Sequence, residues 1–166
     1  RSADVLVVSR NSLGMAIDDR PENRIECWSI QEGQIHSCEV DSVVNCITPT
    51  PKGVLLGCFN GELLELQIDS KGYNRLSKFD YSIKQIFPWK EDILVGSWFD
   101  ITRVNPNGEI IWSLEHIGIV EKISHIGKSR VAILGDDKKQ RSSTPIFIIN
   151  PDSEIISNEY NFEEEN

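Results

Sequence analysis

The side chains that most often carry chemistry are few in this sequence and poorly spaced for it. His36, His116 and His125 fall in or beside different predicted strands, with no cysteine or second histidine at a metal-ligand spacing, so none reads as part of a zinc site. Cys27, Cys38, Cys46 and Cys58 contain no Cys-x-x-Cys pair. They read as buried free thiols, although Cys27 with Cys38, and Cys46 with Cys58, flank predicted hairpin turns and leave a cross-strand disulfide open in each case. Asp18-Asp19 and Asp136-Asp137 pair carboxylates without the alternating pattern of a calcium loop, and read as solvated loop charges. No nucleophile elbow, phosphate-binding loop or dinucleotide fingerprint is present. The expectation is a protein without a catalytic centre, metal or cofactor.

Recognition chemistry is better represented. Phe59-Asn60 and Trp98-Phe99-Asp100 set aromatic rings beside polar groups in short loops, and Asp136-Asp137 opens a longer charged loop containing Lys138-Lys139-Gln140-Arg141. Aromatics beside charged neighbours at loop tips suit a protein-binding hot spot. The same rings would equally serve as core beneath the loops, and the residue types alone leave both readings open. Phe59, Asn60, Trp98, Phe99, Asp100, Asp136 and Asp137 are therefore the candidate partner-binding residues.

The elements that would position these loops are strands. Apolar residues occur in runs of three to six or in alternation, with little recurrence at helical spacing, so the chain reads as all-β. Val54-Leu55-Leu56-Gly57, Ile93-Leu94-Val95-Gly96 and Ala132-Ile133-Leu134-Gly135 each end an apolar triplet on glycine, at intervals of 39 and 39 residues. The flanks keep the same register. Val44-Asn45-Cys46-Ile47, Ile83-Lys84-Gln85-Ile86 and Val120-Glu121-Lys122-Ile123 precede them; Leu64 to Ile68, Ile101 to Val104 and Pro145 to Ile149 follow, each running into a polar turn such as Asn105-Pro106-Asn107-Gly108. A further strand closes each unit. A partial copy, Val5 to Val8, Arg24 to Ile30 and Gln34 to Val40, precedes these without the unit's first strand. Units of about 40 residues holding four antiparallel strands predict β-propeller blades, here about four, at residues 4–40, 41–80, 81–117 and 118–160, forming one domain over 1–160 before an acidic tail at 161–166. A glycine at the repeated position relieves crowding where inner strands converge, or marks a bulge.

The layout resembles that of divergent WD40-like propellers: Thr48-Pro49-Thr50-Pro51-Lys52-Gly53 turns into Val54, and Val95-Gly96-Ser97 ends an apolar strand on Gly-Ser. Asn107-Gly108-Glu109-Ile110-Ile111-Trp112 is also similar to the Gly-x-x-x-Trp turn of quinoprotein-like propellers. The Trp-Asp pair of WD40 blades is replaced by Gln67, Val104-Asn105 and Ile149-Asn150, and no Gly-His pair opens a blade, so the hydrogen-bond network of that family cannot form. The WD40 resemblance implies a non-enzymatic interaction scaffold, a subunit of a larger complex. The quinoprotein resemblance implies the alternative, an enzyme or ligand-binding ring with a site on its axis.

Composition sets the outer bounds. The chain has 166 residues, with 17 Lys plus Arg against 26 Asp plus Glu and a formal charge of −9. A chain of this size hides roughly 70% of its unfolded surface, enough for a core without disulfides. Scattered cations in an acidic chain argue against nucleic acid as partner, and no run approaches the roughly 20 apolar residues of a membrane span. The N-terminus has no signal-peptide pattern, so a cytoplasmic setting is expected. Four blades in an open stack would leave two apolar faces, which calls for a protein partner, a second copy or a segment outside these residues to complete the ring.

Overall fold

The computed structural model describes residues 5–11, 23–68, 71–115, 118–136, 143–153 and 155–163. These form fifteen strands in four antiparallel sheets, each built from strands consecutive in sequence. Sheet 1 holds β1 (Val5–Arg10), β2 (Asn23–Ser29) and β3 (Gly33–Val40). Sheet 2 holds β4 (Val44–Thr50), β5 (Gly53–Cys58), β6 (Glu62–Gln67) and β7 (Gly72–Lys78). Sheet 3 holds β8 (Ile83–Trp89), β9 (Asp92–Ser97), β10 (Ile101–Val104) and β11 (Ile110–Leu114). Sheet 4 holds β12 (Ile119–Ile126), β13 (Arg130–Asp136), β14 (Ser143–Asn150) and β15 (Ile155–Glu163). The all-β blade organisation expected from the repeat is thus present, with one three-stranded and three four-stranded units. β15 pairs with β14 as far as Ser143 opposite Glu163. Asn161, Phe162 and Glu163 therefore lengthen the last strand, where the sequence reading began the acidic tail; the early start of β14 supplies their ladder partners.

The apolar runs of sheets 2 and 3 are apolar on both faces because these two sheets are packed on both sides. Leu56, with Ile25 of sheet 1, belongs to the cluster between sheets 1 and 2; its neighbour Leu55 points the other way, into the cluster between sheets 2 and 3 with Ile83, Ile86 and Val95. Leu94 then joins Val120, Ile123, Val131 and Ile133 between sheets 3 and 4. Polar side chains tie the same seams. Asn11 both donates to the Val44 carbonyl at 2.9 Å and accepts from its N–H at 3.0 Å. Asn45 donates to Ser82 Oγ at 2.8 Å and to the Ile83 carbonyl at 2.9 Å.

Gly57 and Gly96 let these seams close. A Cβ on Gly57 would lie 2.5 Å from Cys46 Sγ and 2.5 Å from Ile83 Cγ2; one on Gly96 would lie 2.5 Å from Val120 Cγ1. In each case the first strand of the next sheet presses a branched side chain onto the glycine. Gly135, the third member of the 39-residue series, is not their equivalent. The turns between first and second strands have two residues in sheets 2 and 3, at 51–52 and 90–91, but three in sheet 4, at 127–129. A shift of one residue turns a strand over. Gly135 therefore shares a face with Ile133 and Val131, toward sheet 3, and Leu134 takes the outward position that glycine holds in sheets 2 and 3.

Sheets 3 and 4 are also joined by a polar clamp. Arg103 Nε donates to Asp92 Oδ2 at 2.8 Å, and its Nη1 donates to the Pro151 carbonyl at 2.6 Å. Trp112 Nε1 donates to the same carbonyl at 3.0 Å, while Trp89 Nε1 donates to Asp152 at 3.1 Å. The Lys90 ammonium also pairs with Asp152. These hydrogen bonds, from Lys90 first and Trp89 second, hold the Asp152 carboxyl below its ordinary range.

All four cysteines are free. Cys38 stands opposite Ile25 and Cys27 opposite His36, and Cys46 and Cys58 pair with Gly57 and Val44, so neither couple occupies one cross-strand site. Burial pushes the Cys46 thiol up to about 11 and, aided by Glu62 and Cys46, the Cys58 thiol up to about 12. Since the thiolate is the nucleophile, an Ellman titration of the native protein at pH 8 is expected to leave Cys46 and Cys58 unreacted, whereas all four thiols react in denaturant.

Among the described residues no cluster of buried side chains joins sheet 1 to sheet 4, and the described stack is not closed into a ring. Sheet 1 turns Leu6, 61% exposed, outward beside Trp28 and the buried Glu26, which Arg10 and the Trp28 indole pair at 2.9 and 3.1 Å.

Candidate functional site

Antiparallel connection in each sheet brings the loop between second and third strands to the same end as the link to the next sheet. The loops 59–61 and 98–100, the link 79–82 and Glu115 at the end of sheet 3 therefore share one face. Gly61, at φ +87°, turns the first loop tightly: its N–H donates to the Cys58 carbonyl at 3.0 Å and its own carbonyl accepts from Phe79 at 2.9 Å. The Phe59 N–H donates to the Val43 carbonyl at 2.8 Å and the Asn60 N–H to Ser42 Oγ at 3.1 Å. In the second loop the buried Ser97 hydroxyl accepts from the N–H groups of Phe99 and Asp100, at 3.2 and 2.9 Å. Both loops are thus fixed by backbone hydrogen bonds before their side chains are considered.

The rings meet across the seam between sheets 2 and 3. Phe59 and Trp98 pack edge to face at 6.0 Å, and Tyr81 and Phe99 do so at 4.7 Å. Phe59 is 55% exposed, Tyr81 42% and Phe99 38%, while Trp98 is half-buried. The loop-tip rings are therefore divided: Phe59 and Phe99 face outward, and the half-buried Trp98 packs against Phe59. Asn60 is exposed and ties Glu62, whose carboxyl the Asn60 amide and then Arg75 hold below the ordinary range. Asp100 sits half-buried in the same loop as Phe99. Asp136 ends β13, and Asp137, like Asp18, Asp19, His116 and the 138–141 basic cluster, lies outside the described residues. Tyr81 and Asp80, on the link between sheets 2 and 3, join the patch without having been singled out from sequence; the signal was an aromatic and a carboxylate in the link that the blade order sends to this end.

Metal ligation finds no group of side chains among the described residues: no three or more of their His, Cys, Asp or Glu side chains are placed to hold a metal. His36 is buried in β3, and His125 packs edge to face against Phe87 at 4.8 Å and tilted against Trp89 at 5.5 Å. At the opposite end a cleft of about 140 Å³ lies between sheets 2 and 3, walled by Pro51, Leu55, Leu76, Pro88 and Pro106, with no histidine or cysteine in its lining.

No family model and no curated protein matches the sequence. Solved structures do. The chain is similar to a chain of the mitotic checkpoint complex, with a TM-score of 0.71 at 16% identity over 93% of this chain and 46% of that one. It is similar to the AfRom2 CNH domain, at 0.66 and 12% identity over 96% and 51%, and to the computationally designed Ika8 protein, at 0.68 and 13% over 82% and 42%. The fold is that of β-propeller blades. The chain spans about half the length of these three structures. No helix among the described residues is long and apolar enough to cross a membrane.

Proposed function

We propose that this chain is a non-enzymatic interaction module of WD40-like type, which presents the loop face of its sheets to a protein partner and shares its ring with that partner or with a second copy. The observation that carries the reading is the set of exposed aromatic rings at this end, Phe59 packed on Trp98 and Tyr81 packed on Phe99, on loops already fixed by backbone hydrogen bonds. Rigid aromatic anchors with polar neighbours are the usual energetic centre of protein interfaces. Likeness to a chain of the mitotic checkpoint complex supports a role within an assembly. The exposed Leu6 on sheet 1 and the outward-facing Leu134 on sheet 4 support a covered stack. Free cysteines suit a reducing compartment such as the cytoplasm.

Affinity capture with the folded chain, followed by mass spectrometry, tests this. Trp98→Ala is expected to weaken a captured partner by about tenfold or more, a loss of roughly 1.4 kcal/mol or greater, while the far-ultraviolet spectrum stays that of the wild type. Binding that survives the substitution, or a variant that unfolds, would return Trp98 to the core. A chromophore copurifying with the chain would favour the quinoprotein-like alternative instead.

A further inference from the structure

The repeat places chemically different side chains at one position of successive seams. Leu55, two residues before Gly57, stands opposite Glu65 on β6; Leu94, two residues before Gly96, stands opposite Arg103 on β10. Glu65 therefore faces sheet 3 as Arg103 faces sheet 4. Between sheets 3 and 4 the position is filled. Arg103 meets Asp92 and the Pro151 carbonyl, with the Trp89 and Trp112 indoles donating to Asp152 and to the same carbonyl. Between sheets 2 and 3, the Thr50 and Gly53 pair stands where Trp89 and Asp92 pair, and Asn74 stands opposite Glu65 where Trp112 stands opposite Arg103. These smaller residues leave the cleft of about 140 Å³. Glu65 lines it half-buried, and its carboxylate has no hydrogen bond or ion pair with any described residue.

We propose that this cleft is a second docking site, independent of the aromatic loops at the other end, and that it seats a lysine side chain of a partner protein with its ammonium on Glu65. The walls are apolar, made by Pro51, Leu55, Leu76, Pro88 and Pro106. A purely apolar group would fill them but strip water from Glu65 without replacing its hydrogen bonds. An anionic group would meet Glu65 and the exposed Glu91 at the rim. An alkylammonium satisfies both parts of the site, laying its methylenes along the walls and its charge against the carboxylate. Lysine is favoured over arginine because no aromatic ring lines the cleft for a guanidinium to stack on, and most of its five donors would face proline and leucine side chains. The chain's own cations at the cleft leave Glu65 open. Lys90 pairs with Asp152, and Lys52, on the exposed turn 51–52, makes no ion pair with Glu65.

The test uses the whole chain with ¹³C-labelled methyl groups, titrated with Nα-acetyl-lysine amide. Parallel titrations use the Nε-acetylated form, which keeps the stem and loses the charge, and Nα-acetyl-arginine amide. Saturable shifts of the Leu55, Leu76 and Ile93 methyl signals are expected with the lysine derivative, with binding about tenfold weaker for the Nε-acetylated form and weaker also for arginine. Glu65→Gln, which keeps shape but removes charge, should weaken the lysine response by about tenfold. Glu91→Gln removes an equal charge from the exposed rim and should leave the response nearly unchanged, as should Trp98→Ala at the other end. Absence of saturable shifts, equal binding of the Nε-acetylated form or of arginine, an unchanged response in Glu65→Gln, or an equal loss in Glu91→Gln would overturn the assignment. So would a cleft that responds only after Lys52→Gln, because the chain's own lysine would then be its occupant.

Discussion

Gly96→Val should destabilise the chain by about 3 kcal/mol or more, out of the roughly 5–15 kcal/mol that holds a domain together. The new Cβ would stand 2.5 Å from Val120 Cγ1 and 2.7 Å from Val120 Cβ, both in the fully buried interior between sheets 3 and 4. Neither partner can yield without separating the sheets, because Val120 belongs to the same cluster as Leu94, Ile123, Val131 and Ile133. Gly57→Val should behave alike, with Ile83 and Cys46 as the obstacles. Gly72→Ala, at a site with nothing within 4 Å, is the matched control and should change stability by no more than about 0.5 kcal/mol. Urea midpoints measure all three. A second substitution, Val120→Ala, should return part of the loss in the Gly96→Val background, since contacting residues couple. A Gly96→Val chain that melts with the wild type would mean that the seam is looser than this geometry requires.

The same seam shows what the sequence made legible. Strand number, sheet membership and the four units followed from short apolar runs separated by polar turns, because each sheet is continuous in sequence and needs no long-range pairing to be inferred. At Gly57 and Gly96 the sequence left crowding and a bulge both open, and the close approach of Cys46, Ile83 and Val120 is visible only once the sheets are packed. Gly135 was not legible in its true place: the 39-residue spacing persisted, but the three-residue turn at 127–129 shifted β13 by one position and so exchanged its faces. Spacing reports distance along the chain, whereas the face of a strand depends on parity from its last turn. The candidate site divides similarly. Phe59, Trp98 and Phe99 stood out as aromatics in short loops, but their pairing across two sheets, and the arrival of Tyr81, Asp80 and Glu115 beside them, depend on how neighbouring sheets pack. The clamp around Arg103 gave no signal at all, since its partners lie 11 and 48 residues away and include a backbone carbonyl.

That clamp carries the second large effect: Arg103→Met should cost about 2–3 kcal/mol. The arginine side chain is only 15% exposed, and so is that of Asp92, which it meets through Nε at 2.8 Å and Nη2 at 2.6 Å. Methionine replaces the aliphatic stem but leaves the Asp92 carboxylate without its fork and removes one of the two donors to the Pro151 carbonyl. The remaining donor, Trp112 Nε1, keeps that carbonyl partly satisfied, which is why the loss falls short of that for a fully orphaned buried ion. Arg103→Lys should recover little, because an ammonium cannot reach Asp92 and the Pro151 carbonyl together in the planar geometry of a guanidinium. The damage should be local before it is global. Pro151 and Asp152 form the turn between β14 and β15, so in hydrogen exchange the amides of β14 are expected to lose protection ahead of those in sheet 2. If Arg103→Met instead lowered protection evenly across all four sheets, the stack would unfold as one unit and the clamp would be only one contributor to a shared core; if it left melting unchanged, the ion pair would be no stronger than an exposed one and the seam would rest on Val120, Ile123 and Ile133 alone.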